Sequence, residues 1–321
     1  MASNFSLLQH LMINSSSEGG KTTVDIDAII NNITIVLYII TVVLGTIGNT
    51  VVIWVAGVRF RAKVTNVWLV NLAIADLVFC FTRAISLAQK HLGNWPFGVF
   101  LCKFNGFFKY TNMFCSVFLL AVISLDRALC VWRPVFTKQR RTVCAARLVS
   151  VVVWAVATVM SAPYFFYWKV YPGKSNLKCG LKGEGGDAAK MPLFIIRFLC
   201  GFLLPFLVIL GCSVLAAAGI RRTRLKGKSR PLRMLIALVC AFFLCWAPYH
   251  CLRLAWVIDS ENQAVKVGLT LAKGLAYFNS CVNPVLYFCM GLKHGWVRRS
   301  GNVEECHVAL RDSKGTRPTC G

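Results

Sequence analysis

Acidic residues are scarce in this chain. Asp and Glu number 12 against 36 Lys and Arg, and charged residues make up only 15% of the 321 residues. A soluble domain of this size ordinarily carries about a quarter charged residues. Hydrophobic residues, by contrast, make up 57% of the chain. This composition excludes an ordinary soluble fold, and we expect the chain to lie largely within a membrane.

Signatures of catalysis and of zinc binding are also missing. The sequence contains no HExxH or GxSxG motif, no glycine-rich phosphate loop, and no CxxC pair or Cys/His cluster with zinc spacing. Only Asp76 could serve as a carboxylate deep in the membrane, and no second acid is placed to work with it. We therefore expect no enzyme activity, and no cofactor apart from a bound sodium ion.

The sequence does contain seven apolar runs, each long enough to cross a bilayer as a helix, which takes about 20 residues. The runs fall near residues 33–58, 66–88, 99–125, 145–167, 191–218, 232–257 and 267–290. Short connections and the lack of an internal repeat predict an all-α membrane protein, with a seven-transmembrane helix bundle over residues 33–290. Residues 1–32 are predicted to form an extracellular N-terminal segment. Residues 291–321 are predicted to form a cytoplasmic tail that begins with a short amphipathic helix.

The basic residues are distributed unevenly, and the distribution predicts an orientation. Most Lys and Arg lie in the loops after spans one, three and five and in the tail. A basic excess marks the cytoplasmic face, so we expect the N-terminus outside the cell. The net charge of +24 would also suit nucleic acid. Basic runs beside the spans, such as residues 138–141, instead indicate membrane topology next to anionic lipid.

The outer side is expected to carry glycans and a disulfide bridge. Acceptor triplets for N-glycosylation begin at Asn4, Asn14 and Asn32. Most of the 15 cysteines lie inside spans, where cysteine acts as a small apolar residue. Cys102 and Cys179 lie on the outer side, where the compartment is oxidising, so a bridge is expected there. We find no pattern of a cleavable signal peptide, so the first span is expected to direct insertion.

Asp76 is the only carboxylate deep within a span. A buried carboxylate must be protonated, paired or bound to a cation. Oxygen-bearing side chains on other spans could complete a sodium site, because carboxylate, hydroxyl and amide oxygens suit a hard cation. The candidates are Asn49, Asn112, Ser116, Asn279, Ser280 and Asn283. The alternative is a hydrogen-bonded structural network around a protonated Asp76.

Five basic residues lie at membrane depth in the outer halves of the spans, with no acid beside them: Arg83, Lys109, Arg197, Arg253 and Lys273. An ionisable side chain at this depth usually faces a cavity or a partner. Lys109 shares a helical face with Asn112 and Ser116, and Arg83 lies two turns outward from Asp76 on one face. We interpret the five as an anion-binding site. The alternative is snorkelling, in which each long side chain reaches the interface by itself.

Short motifs in different spans and loops, read in chain order, resemble the rhodopsin-like (class A) G-protein-coupled receptors across nearly the whole chain. They are Gly48-Asn49, Leu72-Ala73-Ile74-Ala75-Asp76, Trp95, Cys102, Asp126-Arg127-Ala128, Trp154, Pro205, Cys245-Trp246-Ala247-Pro248 and Asn283-Pro284-Val285-Leu286-Tyr287. The stretches 112–120, 197–205 and 243–250 resemble the chemoattractant branch, which includes chemerin-type and formyl-peptide receptors. Formyl-peptide receptors carry an acidic residue where this chain has Tyr110, whereas Arg197 matches a basic residue that they share.

The resemblance implies a multi-pass plasma-membrane receptor that couples to an inhibitory-class G protein, with arrestin as a further candidate partner. It implies a sodium site at Asp76, Asn112, Ser116, Asn279 and Asn283. It also implies a disulfide between Cys102 and Cys179. The residues implied in activation and in G-protein contact are Asp126, Arg127, Trp246, Pro248, Asn283, Pro284 and Tyr287.

The resemblance implies an extracellular chemoattractant ligand, and the basic residues with the aromatic residues around them indicate that it carries an anionic group. We expect a peptide with a free C-terminal carboxylate. The candidate ligand-binding residues are Arg83, Lys109, Tyr110, Arg197, Arg253, Lys273 and Tyr277. An acidic lipid mediator is the alternative ligand. A non-signalling scavenger is the alternative function, because Ala128 ends the Asp-Arg-Tyr/Cys triplet and Ser213 stands where the family usually has tyrosine.

Two other classes of membrane protein fit less well. In a retinal protein, the Schiff-base lysine would stand six residues before the asparagine of the last-span motif. That position is Tyr277, and Lys273 lies about one turn further out. A transporter would more often show inverted repeats or broken helices with paired acids. The sequence shows neither pattern.

Overall fold

The computed structural model describes residues 3–59, 63–173, 176–181, 186–222, 229–259 and 262–291, and over residues 3–27 it describes the backbone alone. The long helices of this part are α1 (Ser3–Val52), α2 (Val64–Leu92), α3 (Gly98–Trp132), α5 (Val143–Tyr167), α6 (Gly186–Phe198), α7 (Leu204–Arg222), α8 (Ser229–Ile258) and α9 (Gln263–Gly291). A short helix, α4 (Pro134–Arg140), connects α3 to α5. The predicted amphipathic helix after the last span lies outside the described residues.

Six helical segments of the described part are long and apolar enough to cross a membrane: Ala28–Arg59, Val64–Leu92, Gly98–Trp132, Val143–Tyr167, Ala188–Gly219 and Leu235–Ile258. Helix α9 has 29 residues, but Lys266, Lys273 and several amide and hydroxyl side chains lower its hydropathy. It packs against α1 and α8 and completes the bundle. Helix α1 begins at Ser3, so helical structure extends well upstream of residue 33, where we placed the start of the first apolar run.

Two π-helical segments interrupt the regular helical period. One, Ile53–Arg59, ends the first span, and the other, Leu199–Leu203, joins α6 to α7 within a single span. Gly201 lies in the second segment, and a Cβ there would come within 2.6 Å of Met113 Cε on α3. The missing side chain therefore allows this span to pack closely against α3. Single-turn π segments are common beside functional sites, and this one follows Arg197 directly.

A small β-hairpin covers one end of the bundle. Strands β1 (Lys169–Pro172) and β2 (Leu177–Gly180) pair antiparallel, with Val170 opposite Cys179. A disulfide between Cys102 and Cys179 attaches the hairpin to the start of α3 and confirms the predicted pairing. We did not predict the hairpin from the sequence. We call this end of the bundle the hairpin end.

Close packing of α1 and α9 explains two of the sequence motifs. A Cβ at Gly48 would lie 2.7 Å from Pro284 Cβ, so only glycine fits there without displacement. The neighbouring Asn49 is fully buried, and its Nδ2 donates to the Ser280 main-chain oxygen at 2.9 Å. In a membrane, helices associate through such close packing and through interhelical hydrogen bonds rather than through the hydrophobic effect.

Candidate functional site

A narrow cavity opens among α3, α8 and α9 in the half of the bundle nearer the hairpin end. It is lined by Lys109, Tyr110, Trp246, Tyr249, Lys273, Ala276 and Tyr277. The free space between these side chains is about the size of one water molecule, so a whole peptide does not fit inside it.

Four of the seven predicted ligand-binding residues line this cavity: Lys109, Tyr110, Lys273 and Tyr277. Trp246, which the resemblance implies in activation, forms part of the same wall and is buried. A group that entered the cavity would thus contact both lysine side chains and Trp246. Four predicted ligand-binding residues and one predicted activation residue therefore line the same small cavity.

Arg83 lies behind the cavity wall. Its side chain is only 3% exposed, and its Nη2 donates to Asn105 Oδ1 at 3.0 Å. Its guanidinium carbon lies 4.9 Å from the centre of the Phe79 ring and 4.7 Å from that of the Tyr277 ring. Arg83 therefore contacts the cavity through Tyr277, not directly.

Arg197, at the end of α6, is also buried. Its Nη1 donates to the Tyr110 hydroxyl at 2.9 Å. The guanidinium carbon lies 5.1 Å from the centre of the Tyr110 ring and 5.2 Å from that of the Tyr249 ring. Arg197 thus packs behind Tyr110, as Arg83 packs behind Tyr277. The Tyr110 hydroxyl thus accepts a hydrogen bond from an arginine behind the cavity wall.

Arg253 is half-buried and lies further from the cavity. Its guanidinium carbon stacks 4.2 Å from the centre of the Trp256 ring and 6.0 Å from that of Phe194. Stacking on tryptophan satisfies the face of a guanidinium while leaving its edge free to donate. The structure therefore does not gather all five basic residues around one volume. It places two at the cavity, two behind it and one nearer the hairpin end.

The five basic residues form no ion pair with any carboxylate of the described part; its ion pairs both involve Asp126. Aromatic rings stabilise four of them through cation–π contacts, worth roughly 0.5–2 kcal/mol each. In addition, the Nε of Arg83 and that of Arg197 are buried without an acceptor in the described part. Unpaired charge and unsatisfied donors are costly in a buried site. The cavity and its walls are therefore suited to an anion.

Asp76 occupies a second, deeper site and is fully buried. Its two carboxylate oxygens accept hydrogen bonds from Asn112 Nδ2 at 2.9 Å and from Asn283 Nδ2 at 2.8 Å. The two amides thus present N–H groups to Asp76 and hold it in place. The structure brings these residues from α2, α3 and α9 together.

Two of the predicted sodium ligands have side-chain oxygens that accept no hydrogen bond from the described residues. Ser116 Oγ and Asn279 Oδ1 are buried and have no hydrogen-bond partner in the described part of the chain. Buried polar atoms are normally satisfied, so unpartnered oxygens of this kind call for a water or a cation. A carboxylate, a hydroxyl and an amide oxygen together fit a hard cation such as sodium.

The other end of α3 carries a separate ionic cluster. Lys109 and Arg127 lie about 27 Å apart along the helix, given a rise of about 1.5 Å per residue. Arg127 Nη2 donates to Asp126 Oδ2 and to Thr65 Oγ1, both at 3.0 Å. Arg141 Nε donates to Asp126 Oδ1 at 2.8 Å. We did not predict the contributions of Thr65 and Arg141 from the sequence.

The remaining activation residues lie along α8 and α9. Pro248 and Pro284 stand inside these helices, where proline removes a backbone hydrogen bond and favours a kink. Tyr287 is buried, and its hydroxyl has no hydrogen-bond partner in the region that the structure describes. Ser213 Oγ on α7 is likewise buried and unpartnered within that region.

Two groups of predictions stay open or were incomplete. Asn32 is exposed, as a glycosylation acceptor must be, whereas Asn4 and Asn14 fall among residues whose side chains are not described.

Among the residues that build the cavity, the sequence reading missed Asn105 and Tyr249. Asn105 lies one turn before Lys109 on the same face of α3, so its spacing offered a signal.

The chain matches the family described as "7 transmembrane receptor (rhodopsin family)" over residues 48–287. It is 38% identical over 280 residues to the fMet-Leu-Phe receptor of Macaca mulatta, covering 81% of this chain and 80% of that protein. It is 41% identical over 276 residues to C5a anaphylatoxin chemotactic receptor 1 of Danio rerio, covering 81% and 77%. It is 34% identical over 277 residues to human Chemerin-like receptor 1, covering 80% and 74%.

The family match begins near the end of α1, includes α2 to α8 in full, and ends at residue 287 within α9. These matches confirm the resemblance drawn from the short motifs, and they make the protein a receptor rather than an enzyme. Its place is the plasma membrane, which it crosses several times, and its partners are an extracellular ligand and a G protein. The chain belongs to the rhodopsin family of seven-transmembrane receptors, among the class A chemoattractant receptors.

Proposed function

We propose that this receptor binds an extracellular chemoattractant through an anionic end group, the free C-terminal carboxylate of a peptide, and signals through an inhibitory-class G protein. The hairpin end faces outside the cell in this proposal, and so does the N-terminus. The observation that carries the proposal is the cavity lined by Lys109, Lys273 and Trp246, which has no carboxylate partner within the described residues.

The size of the cavity supports a terminal group as the part of the ligand that enters. A carboxylate held by ammonium or guanidinium groups in a poorly hydrated site gains charge-assisted hydrogen bonds. The names of the relatives point to chemoattractant ligands, one of them the tripeptide fMet-Leu-Phe. A peptide would place its carboxylate in the cavity and the rest of its chain toward Arg253 and the hairpin.

Paired ligands that differ only at the carboxyl group test the proposal. Membranes with the expressed receptor would be titrated with the free acid and the C-terminal amide of fMet-Leu-Phe and of the C-terminal peptides of C5a and chemerin. Losing a charged partner costs about 1.5–3 kcal/mol, and about 1.4 kcal/mol is a factor of ten. Amidation should therefore raise Kd at least about tenfold. Equal binding of an acid and its amide would contradict the claim that the receptor recognises a carboxylate. No binding by any of these peptides would contradict the claim that the ligand is a peptide.

An acidic lipid is the alternative occupant of the same cavity, and the same assay identifies it. A long-chain fatty acid and its methyl ester would be compared on the receptor. Competition between the fatty acid and a peptide, lost in Lys109→Ala, would show that both ligands use one site. If the fatty acid binds and no peptide does, the ligand would be an acidic lipid rather than a peptide, and the anionic end group of the proposal would stand.

A non-signalling scavenger is the second candidate function. Ser213 and Tyr287 favour it, because both hydroxyls are buried without a hydrogen-bond partner in the described residues. The family resemblance implies that a tyrosine at the position of Ser213 would reach toward Tyr287 in the active state. Ligand uptake without nucleotide exchange on an inhibitory-class G protein would favour the scavenger, and robust exchange would exclude it.

We further propose that Asp76, Ser116 and Asn279 hold a sodium ion, with Asn112 and Asn283 orienting the carboxylate. A bound cation would neutralise Asp76 and stabilise the uncontracted, inactive bundle. The unpartnered oxygens of Ser116 and Asn279 support this site. A protonated Asp76 held by the two amides alone is the alternative.

A further inference from the structure

Cations and tyrosine rings alternate across the bundle. In order, the row runs Arg83, Tyr277, Lys109, Tyr110 and Arg197, and it joins α2, α9, α3 and α6. The successive distances from the charged group to the ring centre are 4.7, 5.1, 5.3 and 5.1 Å. We call this arrangement the cation–tyrosine row. Each tyrosine ring in it lies beside two cations, and Lys109 lies at the centre.

The cations of the row differ in their hydrogen bonds. Arg83 donates to Asn105 Oδ1 at 3.0 Å, and Arg197 donates to the Tyr110 hydroxyl at 2.9 Å. Lys109 contacts the rings of Tyr110, Trp168 and Tyr277 but has no hydrogen-bond acceptor among the described residues. An ammonium carries three N–H donors, which rings satisfy only in part. Each arginine of the row thus donates at least one hydrogen bond, whereas Lys109 donates none to the described residues.

The lining of the cavity also separates Lys109 from the two arginines of the row. Lys109 and Lys273 both line it, whereas Arg83 and Arg197 do not. Each arginine is buried behind a tyrosine of the cavity wall, Arg83 behind Tyr277 and Arg197 behind Tyr110. An anion in the cavity would meet the two ammonium groups first. To reach either guanidinium it would have to displace a tyrosine ring.

From this arrangement we infer a division of labour among the basic residues, which rests on the proposed function. Lys109 and Lys273 receive the carboxylate of the ligand. Arg83 and Arg197 are positioning residues, which fix Tyr277 and Tyr110 on either side of Lys109. Selectivity for a free acid over an amide therefore belongs to the lysines, and the arginines set the shape of the cavity.

The test measures a ratio, Kd of the amide over Kd of the free acid, for the tightest-binding of the three peptide pairs. In Lys109→Gln the ratio should fall from about ten or more toward one, because only the acid loses a charged partner. In Arg197→Gln both ligands should bind more weakly by a similar factor, so that the ratio stays near the wild-type value. Lys109→Arg keeps the charge and should retain most of the ratio.

Conservative variants separate positioning from simple loss of folding. Arg83→Lys keeps a cation beside Phe79 and Tyr277 and should recover the acid binding that Arg83→Gln loses, at matched surface expression. Lys273→Gln is expected to reduce the ratio as Lys109→Gln does. A ratio that collapses in Arg197→Gln but survives in both lysine variants would overturn the inference, because the carboxylate would then lie on the guanidinium.

Failure of the proposed function would show in the wild-type receptor instead. A wild-type ratio near one, or no binding of any free acid, would contradict the proposed function and leave the lysines without a carboxylate to receive. A wild-type ratio of ten or more that no lysine variant lowers would contradict only the division of labour.

Discussion

The ring of Tyr277 is shared by two cations from different helices. Lys109 Nζ lies 5.1 Å from its centre and the Arg83 guanidinium carbon lies 4.7 Å from it. Tyr277 comes from α9, Arg83 from α2 and Lys109 from α3. One aromatic residue therefore links three helices at the level of the cavity, and its loss should weaken the site more than a single contact would.

We predict that Tyr277→Leu lowers the affinity for a free-acid peptide about tenfold, whereas Tyr277→Phe lowers it less than about threefold. Phenylalanine keeps the ring that both cations contact, and leucine removes two cation–π contacts worth roughly 0.5–2 kcal/mol each. Competition binding at matched surface expression measures both variants. Equal losses in the two would mean that the hydroxyl of Tyr277, not its ring, supports binding.

Asp76 should couple sodium to agonist binding. In our proposal, sodium bound with Asp76 would favour the inactive bundle, so adding sodium should weaken agonist binding, since ligands that prefer different states oppose each other. Asp76→Asn removes the carboxylate and should abolish the sodium effect, which agonist titrations in sodium and in choline buffer would show. Ser116→Ala is the matched change at an uncharged ligand and should reduce the effect. Wild-type agonist affinity that is the same in both buffers would count against an occupied site.

Ser213 should limit signalling. A tyrosine there would reach toward the Tyr287 hydroxyl, which has no hydrogen-bond partner among the described residues. In the active state it would add about one hydrogen bond, worth about 0.5–1.5 kcal/mol. Ser213→Tyr should therefore raise basal nucleotide exchange and agonist affinity together, several-fold to about tenfold. Ser213→Phe controls for size without the hydroxyl and should raise neither. If the tyrosine variant also raises neither at matched expression, the serine is not what limits activation.

Asp126 should restrain Arg127, which the resemblance implies in G-protein contact. Asp126 pairs with Arg127 at 3.0 Å and with Arg141 at 2.8 Å, and both pairs are only slightly exposed. Asp126→Asn removes both ion pairs and should raise basal nucleotide exchange. Partly screened pairs of this kind contribute about 1 kcal/mol or less each, so a rise of a few-fold is expected. Unchanged or lower basal exchange at equal expression would show that the pairs do not hold the inactive state.

Much of the fold followed from the sequence, because a membrane helix satisfies its own backbone in lipid and needs a long apolar run, which the sequence shows directly. The seventh span was less obvious by composition, since Lys266 and Lys273 dilute its apolar character. Helical spacing also placed Asn112 and Ser116 on one face of the third span, and the deep position of Asp76 marked it as their candidate partner. Spacing could not show that the amides turn their N–H groups toward Asp76, because that depends on side-chain rotation.

The grouping of the basic residues was only partly predictable. Spacing counted at 3.6 residues per turn fails across the π-helical segment Leu199–Leu203, which lies between Arg197 and Pro205 and shifts the helical phase. The partners that hold the arginines, Asn105 and Tyr110, come from another helix. Which cations remain available to bind an anion therefore depends on how the helices pack. The sequence of one helix alone does not reveal this.

The central claim is that an anionic end group in the cavity activates the receptor. Nucleotide exchange on purified inhibitory-class G protein, driven by the reconstituted receptor with a free-acid peptide and with its C-terminal amide, tests it most directly. Our account predicts robust exchange with the free acid and at least about tenfold lower potency with the amide. Exchange with equal potency for both, or uptake of the free acid with no exchange, would contradict it.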